Sequence, residues 1–198
     1  MIVDYSENSK AKKYNLMAQT IIPRPIAWVV TQNADGLVNV APFSYFMGLS
    51  SQPPTVMVSI GHKKDGSPKD TLANIRQSKK CCICMVMPQQ LEAMHFSSKE
   101  LGATVSEAEL FDIQTKQILS DFPPMIKGCV SAFFCEFLQE IELKGSTTIP
   151  VVLEIKKQYL KEEIITSEDP LSISFDPLVR IGKTYATLSE AIAPPKIP

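Results

Sequence analysis

Residues 61–71 carry cationic and hydroxyl side chains at the start of a predicted helix, a combination suited to binding an anion. The segment contains His62, Lys63, Lys64 and Lys69 and ends in a threonine. Unpaired N–H groups in the first turn of a helix, together with the positive end of the helix dipole, attract phosphate. The segment is not a Walker motif, because neither of its glycines is followed by Gly-Lys-Ser/Thr. A solvated basic loop before a capped helix is the alternative interpretation, and the residues alone leave both open.

Residues 39–46 are the second candidate site, because a strand there runs through a proline into small, hydroxylated and aromatic side chains. Backbone groups near Pro42 and Ser44 are suited to hydrogen bonding the edge of a flat heteroaromatic ring, while Phe43 or Phe46 covers its apolar surface. The alternative is an aromatic strand end packed in the core. Hydrolytic chemistry has less support, since Ser44 lacks a Gly-x-Ser-x-Gly context and neither histidine has a recognisable triad setting.

Five cysteines are present, and Cys81, Cys82 and Cys84 lie in one apolar run. This spacing is too tight for a framework of disulfides, so reduced thiols in a buried strand are expected. Alternation along the strand puts Cys82 and Cys84 on one face and Cys81 on the other. No metal site is expected, because the chain has only two histidines and no second Cys-x-x-Cys pair beside that of residues 81–84.

The composition predicts one ordinary globular domain spanning residues 1–198. The 198 residues are 44% hydrophobic, and 20 basic residues nearly balance 21 acidic ones. These values exclude intrinsic disorder and a collagen-like chain, and they give no general attraction to nucleic acid. No apolar run approaches the ~20 residues needed to cross a bilayer, and the N-terminus lacks the order of a secretory signal. We therefore expect a cytoplasmic protein without a membrane or nucleic-acid partner.

The order of the predicted elements favours an antiparallel barrel over a doubly wound parallel sheet. Residues 26–31 and 37–41 predict a hairpin around an Asn-Ala-Asp-Gly turn, and residues 55–60 predict a third strand beside it. Ser67 is the predicted N-cap of a helix that ends at residues 79–80. Further predicted strands cover residues 80–87, 132–143, 149–155 and 178–181, and further predicted helices cover residues 89–96 and 106–111. The strand count is six or seven.

Four segments, taken in order, resemble the flavin reductase-like, FMN-binding split-barrel family, whose members include flavoredoxin. The segments are residues 24–31 (RPIAWVVT), 35–46 (DGLVNVAPFSYF), 50–54 (SSQPP) and 66–75 (GSPKDTLANI). A weaker likeness continues through residues 93–98 and 179–185. Each motif is weak alone, but four in the right order and spacing make the resemblance specific.

The resemblance implies a mainly β fold with helical additions, namely a six-stranded antiparallel split β-barrel. It also implies noncovalently held FMN and a homodimer with the flavin near the subunit boundary. The residues implied to approach the flavin ring and ribityl chain are Thr31, Asn39, Ala41, Pro42, Phe43, Ser44 and Phe46, with Ser59, Ile60 and Gly61 beside them. The residues implied to hold the phosphate are Lys69, Asp70, Thr71 and Asn74, and Arg180 is expected to come from the partner subunit.

The function implied by the resemblance is that of an FMN-dependent oxidoreductase, either an NAD(P)H-dependent flavin reductase or a flavoredoxin-type electron-transfer protein. The flavin carries the chemistry, so no side chain is expected to be catalytic. The sequence lacks Gly-x-Gly-x-x-G, so NADH or NADPH is expected to bind against the flavin rather than in a Rossmann domain. Electrons would then pass to a small-molecule or protein acceptor. An FMN carrier or sensor without turnover and a cofactor-free dimeric barrel are the alternatives.

Three residues depart from the family pattern. His62 stands where members often carry arginine, and Lys183 follows Gly182 where a second glycine is common. His95 stands where a small polar residue is expected. The first two departures fall in the predicted phosphate loop and in the segment expected to close the site.

Overall fold

The computed structural model describes residues 1–194 and contains four α-helices and fourteen strands within them. The helices are α1 (Lys10–Thr20), α2 (Asp70–Ser78), α3 (Leu91–Phe96) and α4 (Glu107–Leu110), and 3₁₀ turns cover Pro88–Gln90 and Glu162–Ile164. The strands are β1 (Arg24–Pro25), β2 (Ala27–Gln32), β3 (Val38–Phe43), β4 (Phe46–Ser51), β5 (Pro54–Gly61), β6 (Lys80–Met85), β7 (Thr115–Lys116), β8 (Met125–Ile126), β9 (Ser131–Glu140), β10 (Thr148–Leu160), β11 (Ile165–Glu168), β12 (Leu171–Ile173), β13 (Val179–Ile181) and β14 (Thr184–Ala186). None of the helices in the described part of the chain is long and apolar enough to cross a membrane.

Seven strands form one antiparallel sheet in the order β3-β2-β6-β9-β10-β5-β4, which confirms the mainly β split-barrel prediction. β3 and β4 lie at opposite edges of this sheet, yet only Ser44 and Tyr45 separate them in the chain. Three peptide steps span at most about 11 Å, so the sheet must curl until its two edges nearly meet. The sheet has one strand more than the resemblance implied, because residues 46–51 form a separate edge strand.

β5 is a strand, as predicted, but the prediction that it lies beside the β2–β3 hairpin is wrong. It pairs with β4 and β10, whereas β6 occupies the place next to β2. The physical reason is the short loop at residues 52–53, which makes β4 and β5 a hairpin of their own before the chain can return to β2. The hairpin formed by β2 and β3 around residues 33–36 is confirmed.

α2 begins later than the sequence indicated, so the prediction that Ser67 is its N-cap is wrong. Asp65 accepts hydrogen bonds from the Ser67 N–H at 2.9 Å and from its hydroxyl at 2.6 Å. Ser67 is therefore part of a tight turn, and Pro68 forms an isolated bridge with His62. The helix starts at Asp70, and no side chain caps its first turn. It ends at Ser78 because Lys79 adopts the left-handed conformation, with φ of 62°.

The central strands are buried on both faces, which explains their continuous apolar sequences. Trp28 and Val30 of β2 pack into one core cluster together with α3 and residues 113–134, while Ala27 and Val29 pack into a second cluster beneath α2. The Trp28 indole N–H donates to the buried Ser97 hydroxyl at 2.9 Å. This hydrogen bond fixes the C-terminal end of α3 against the sheet.

The cysteine-rich segment is a buried strand, β6, with the predicted alternation. Cys82 and Cys84 lie in the first cluster and Cys81 in the second, opposite Cys135 of β9. All five thiols are free and buried. Burial raises the pKa of the Cys84 thiol, and a hydrogen bond with Cys81 together with burial raises the pKa of the Cys135 thiol. These thiols therefore resist ionisation and act as small apolar side chains.

A small sheet of β1, β13 and β14 lies beside the main sheet, so the predicted strand at residues 178–181 exists but belongs to a different sheet. Arg24 of β1 is buried and donates to the carbonyls of Ala18, Ile21 and Gly182. It therefore joins the end of α1, which the sequence analysis did not predict, to the turn between β13 and β14.

Replacement of Cys81, Cys82 and Cys84 together by alanine is expected to lower the free energy of unfolding by about 1–3 kcal/mol, because buried contacts are lost. The free energy of unfolding of the parent should be the same with and without a thiol reductant. Urea titrations followed by circular dichroism measure both quantities. A parent protein that loses stability on reduction would show that a disulfide contributes, against this account.

Candidate functional site

A cleft opens where the end of β3 meets α3 and the β13–β14 turn. Its wide end is a cavity of about 200 Å³ lined by Tyr14, Ile26, Pro42, Phe43, Ser44, Met94, His95, Ser98, Arg180 and Tyr185. Its narrow end has a volume of about 30 Å³ and is lined by Asn39, Ala41, Lys63, Lys69, Asp70, Thr71, Ser97, Ser98, Lys99, Glu100, Leu101 and Glu107. Ser98 lines both ends, and the adjacent residues Ala41 and Pro42 line one end each, so the cleft is continuous.

The wide end combines apolar walls with polar aromatic groups. Ile26, Pro42 and Phe43 supply flat apolar surface. His95 and Tyr185 also line this end, and His95 Nδ1 and the Tyr185 hydroxyl lie 2.9 Å apart in a hydrogen bond. No carboxylate of the described residues lines this end. A planar ring with polar atoms along its edge suits such a cavity.

Arg180 supplies the positive charge of the wide end. Its guanidinium carbon lies 4.4 Å from the centre of the Tyr185 ring, a cation–π geometry that holds the group in place. The Nε–H donates to the Gly182 carbonyl at 3.4 Å, and no carboxylate in the described part of the chain forms an ion pair with it. Terminal guanidinium donors are therefore available to a ligand.

A buried hydrogen-bond network lies behind the narrow end. The Asn39 amide donates to the hydroxyls of Thr71 at 2.9 Å and Thr31 at 3.3 Å. The Asn74 amide also donates to the Thr31 hydroxyl, at 3.1 Å. β2, β3 and α2 are thus tied together by side chains whose loss would leave buried polar atoms unpaired.

The narrow end contains charged side chains of both signs near the start of α2, namely Lys63, Lys69, Lys99, Asp70, Glu100 and Glu107. Lys63 forms a 2.7 Å ion pair with Asp70, while Lys69 has no carboxylate within ion-pair distance among the described residues. Since no side chain caps α2, the first-turn N–H groups also lack a side-chain acceptor. An ammonium group and free helix N–H groups on one small cavity favour an anionic ligand.

Glu107 is a buried carboxyl group at the same end of the cleft. Its Oε2 accepts the Val40 N–H at 3.1 Å. Burial raises the pKa of Glu107, and the nearby charge of Asp70 raises it further. The protonated form is therefore favoured in the folded protein relative to an exposed glutamate.

The structure brings most of the predicted site residues to the cleft. Those at the wide end are Pro42, Phe43, Ser44 and Arg180, and those at the narrow end are Asn39, Ala41, Lys69, Asp70 and Thr71. Thr31 and Asn74 stand one layer behind, within the buried network. Arg180 lines the cavity of its own chain, and its contribution to a partner's site stays a prediction.

Four predicted residues do not line the cleft. Phe46 and Ile60 pack against the second core cluster, and Ser59 and Gly61 pair with β10. Their positions follow from β4 and β5 forming a hairpin on the far edge of the sheet. A direct contact of these residues with FMN stays a prediction.

Sequence reasoning missed Tyr14, Met94, His95, Ser98 and Tyr185 at the wide end. His95 and Tyr185 are 90 residues apart in the chain, so no local motif joins them. The only signal was the weaker family likeness at residues 93–98 and 179–185, which contain His95 and Tyr185. At the narrow end, Lys99 and Glu107 were missed as cleft residues, whereas Lys63 belongs to the basic segment that the sequence offered as an anion site.

The chain is similar to known proteins in both sequence and structure. The sequence profile of the flavin reductase like domain matches residues 17–189. The structure of the 2-nitrobenzoate 2-nitroreductase of Pseudomonas fluorescens is similar, with a TM-score of 0.88 and 27% identity over 100% of this chain and 96% of that one. A protein with a split barrel domain from Shewanella frigidimarina gives a TM-score of 0.83 at 17% identity, with 100% of both chains covered. An FMN-binding protein from Thermus thermophilus, solved with p-hydroxybenzaldehyde, gives 0.74 at 19% identity over 89% of this chain and 93% of that one.

Glu107→Gln is expected to change the free energy of unfolding in a pH-dependent way. Since the folded-state pKa of Glu107 is raised, its favourable contribution is full below the ordinary value of 4.5 and is lost as pH rises through the folded-state pKa. The stability of the variant relative to the parent should therefore increase from low to neutral pH. Denaturant titrations across this pH range measure the difference, with exposed Glu92→Gln as the control. A difference that is independent of pH would contradict the assignment.

Proposed function

The chain belongs to the family of flavin reductase like domains, and from this we propose that it is an oxidoreductase that holds FMN noncovalently in the cleft. The observation that carries the proposal is the continuity of a flat, apolar wide end with a narrow end that presents the unpaired Lys69 and the uncapped start of α2. The FMN-binding protein of Thermus thermophilus, which shares the fold, supports the choice of cofactor. The nitroreductase of Pseudomonas fluorescens supports an oxidoreductase role.

The residues at the wide end fit the flavin ring. Ile26 and Phe43 offer apolar contact to a ring face, and Ser44 and Arg180 offer hydrogen-bond donors to polar ring edges. The cavity of about 200 Å³ is smaller than the ~300–1,000 Å³ of pockets that enclose a ligand. One side of the ring would therefore stay accessible to a redox partner.

The residues at the narrow end fit the FMN phosphate. Lys69 and the free N–H groups of α2 supply charge-assisted donors, and Lys99 adds a second ammonium group. Thr31 fixes the Asn39 amide, which also donates to the Thr71 hydroxyl, so that Asn39 and Thr71 line the narrow end as ordered polar groups for the ribityl chain. Asp70 is occupied by Lys63, which limits its repulsion of a phosphate.

When bound, FMN supplies two-electron redox chemistry, with NADH or NADPH as the proposed donor and a small molecule or protein as the acceptor. The chain's own residues bind and orient the cofactor. Arg180 places a positive charge beside the ring, and His95 and Tyr185 form a fixed hydrogen-bonding pair near the opening. The thiols take no part, because all five are buried away from the cleft, and the raised pKa values of Cys84 and Cys135 oppose thiolate formation at those two residues.

The visible absorption spectrum of the purified protein, followed by anaerobic mixing with NADH or NADPH, tests this function. If the visible absorption of the bound flavin disappears on mixing with NADH or NADPH, at a rate at least as fast as steady-state turnover, the protein is a reductase. Bound flavin that neither nucleotide reduces would favour the carrier or sensor alternative. A protein that fails to bind FMN even after reconstitution would refute the proposal.

FMN is expected to bind more tightly than riboflavin, because only FMN has a phosphate for the narrow end. Lys69→Ala should weaken FMN binding by about 1.5–3 kcal/mol, the range for hydrogen bonds to charged groups, and should leave riboflavin binding nearly unchanged. Calorimetry with both flavins measures these values, and exposed Lys157→Ala is the matched control. Equal affinities of the parent for FMN and riboflavin would place the phosphate elsewhere.

We also propose that the chain forms a homodimer through the outer edge of β4 and the chain before β1. Met47 and Leu49 on β4 and Ile21 and Ile22 before β1 are about half exposed, although they are large and apolar. β4 is an edge strand that pairs with β5 alone in the described part of the chain, so its other edge is open. Exposed apolar edges of this kind favour association with another copy.

Met47→Glu is expected to convert the dimer into a monomer at micromolar concentration, because it places a charge within the apolar interface. Small-angle scattering and sedimentation measure the mass. Leu171→Glu, a similar change at an exposed site on β12, should leave the dimer intact. A monomeric parent that still binds FMN would contradict both the dimer and a partner role for Arg180.

A further inference from the structure

We propose that a basic groove beside the cleft binds the phosphate of the adenosine half of a dinucleotide. The basic groove has a volume of about 510 Å³ and is lined by Lys10, His62, Lys63, Lys64, Gly66, Ser146 and Thr147. The inference rests on the proposed function, since the redox head of the dinucleotide would occupy or face the cleft. The basic groove is a second binding site, separate from the cleft proposed to hold FMN.

The charge of the basic groove is positive and mostly uncompensated. Three lysines line it, and no acidic or large apolar side chain of the described residues does. Lys63 is paired with Asp70, but Lys10 and Lys64 have no carboxylate within ion-pair distance in the described part of the chain. Polar walls with two free ammonium groups favour a phosphate ester over an apolar ligand.

No carboxylate of the described residues lines the basic groove, and two nearby ones, Asp65 and Glu140, already accept hydrogen bonds from other groups. Asp65 accepts the N–H and hydroxyl of Ser67 within its own turn. Glu140 forms two hydrogen bonds with Arg76, at 2.7 and 2.8 Å. An incoming phosphate would therefore meet the lysines without close repulsion.

Lys10 and His62 are held in position across the basic groove by the same residue, Thr147. Lys10 Nζ donates to the Thr147 hydroxyl at 2.7 Å, and His62 Nδ1 lies 2.9 Å from the Thr147 carbonyl. These contacts join α1, the loop after β5 and the loop before β10. Less side-chain entropy is lost on binding when donors are held in this way.

The basic groove adjoins the narrow end of the cleft, and α1 connects it to the wide end. Lys63 lines the groove and the narrow end. Lys10 and Tyr14 lie one turn apart on the same face of α1, about 6 Å along its axis, and Tyr14 lines the wide end. A dinucleotide whose head lies in the cleft can therefore reach the groove with its adenosine phosphate.

Two dinucleotides share this chemistry, and the groove alone does not separate them. NADPH carries its adenosine 2′-phosphate away from the nicotinamide, which would face the wide end. FAD carries its adenylate beyond the flavin phosphate, which would lie at the narrow end. The volume of the groove lies within the ~300–1,000 Å³ typical of small-molecule sites, so either adenosine phosphate has room.

Calorimetry with the full chain tests the inference, using Lys64→Glu and Lys64→Gln against the matched control Lys157→Glu. FMN-loaded protein is titrated with NADP⁺, NAD⁺ and adenosine 2′,5′-bisphosphate, and flavin-free protein is titrated with FAD and FMN. Lys64→Glu should lower the affinity for the ligand of the groove by about tenfold, that is, either for NADP⁺ and the bisphosphate or for FAD. Lys64→Gln should lower the affinity for the same ligand by about threefold. FMN affinity should stay within about twofold, because Lys64 lies outside the cleft.

The pattern of losses identifies the ligand. If Lys64→Glu loses affinity for NADP⁺ and the bisphosphate but not for NAD⁺, the basic groove binds the 2′-phosphate of NADPH. If the variant loses affinity for FAD alone, the basic groove binds the adenylate of FAD. Unchanged affinities for all of these ligands, or an equal loss in Lys157→Glu, would overturn the inference. If FMN does not bind the parent, the proposed function fails, and the groove is then tested by titrating the bisphosphate into the flavin-free parent and the flavin-free Lys64→Glu variant.

Discussion

The two-residue connection between β3 and β4 determines the shape of the sheet and the position of the cleft. Because Ser44 and Tyr45 alone join strands at opposite edges, the sheet has to close upon itself. The Tyr45 carbonyl accepts the Ser59 N–H at 2.9 Å, which secures the junction to β5. Closure leaves Pro42, Phe43 and Ser44 at the rim of the barrel, where they form one wall of the wide end.

The second wall depends on contacts that cross large distances in the sequence. Arg24 holds the end of α1 and the β13–β14 turn, and Trp28 holds the end of α3 through Ser97. These two buried contacts bring Tyr14, Arg180 and His95 to one cavity. The site is therefore built on the rigid sheet, while its opening is formed by shorter peripheral elements.

Much of the fold was predictable from sequence because the relevant signals are local. The turn at residues 33–36 and the alternating faces of β6 follow from neighbouring residues, and both predictions are confirmed. The start of α2 was not, because the Asp65 side chain binds Ser67 in a turn and removes it from the helix. α1 was missed because its exposed surface mixes lysines with apolar residues, and its position depends on tertiary contacts such as those of Arg24.

Some residues of the candidate site were likewise predictable from local sequence, and others were not. The residues of β3 and of the start of α2 were predictable, since they lie in the continuous segments 35–46 and 66–75 that carry the family resemblance. The His95–Tyr185 hydrogen bond and the burial of Glu107 were not, because they depend on the packing of α3, α4 and β14. The pairing of Lys63 with Asp70 likewise decides which lysine is free for a ligand, and residue types alone do not show it.

A crystal structure of the chain with FMN bound tests the central claim most directly. The account predicts the flavin ring in the wide end, and the phosphate within about 2.7–3.2 Å of Lys69 Nζ and of N–H groups in the first turn of α2. A phosphate bound away from α2, or a ring outside the cavity formed by Phe43, Arg180 and Tyr185, would contradict it.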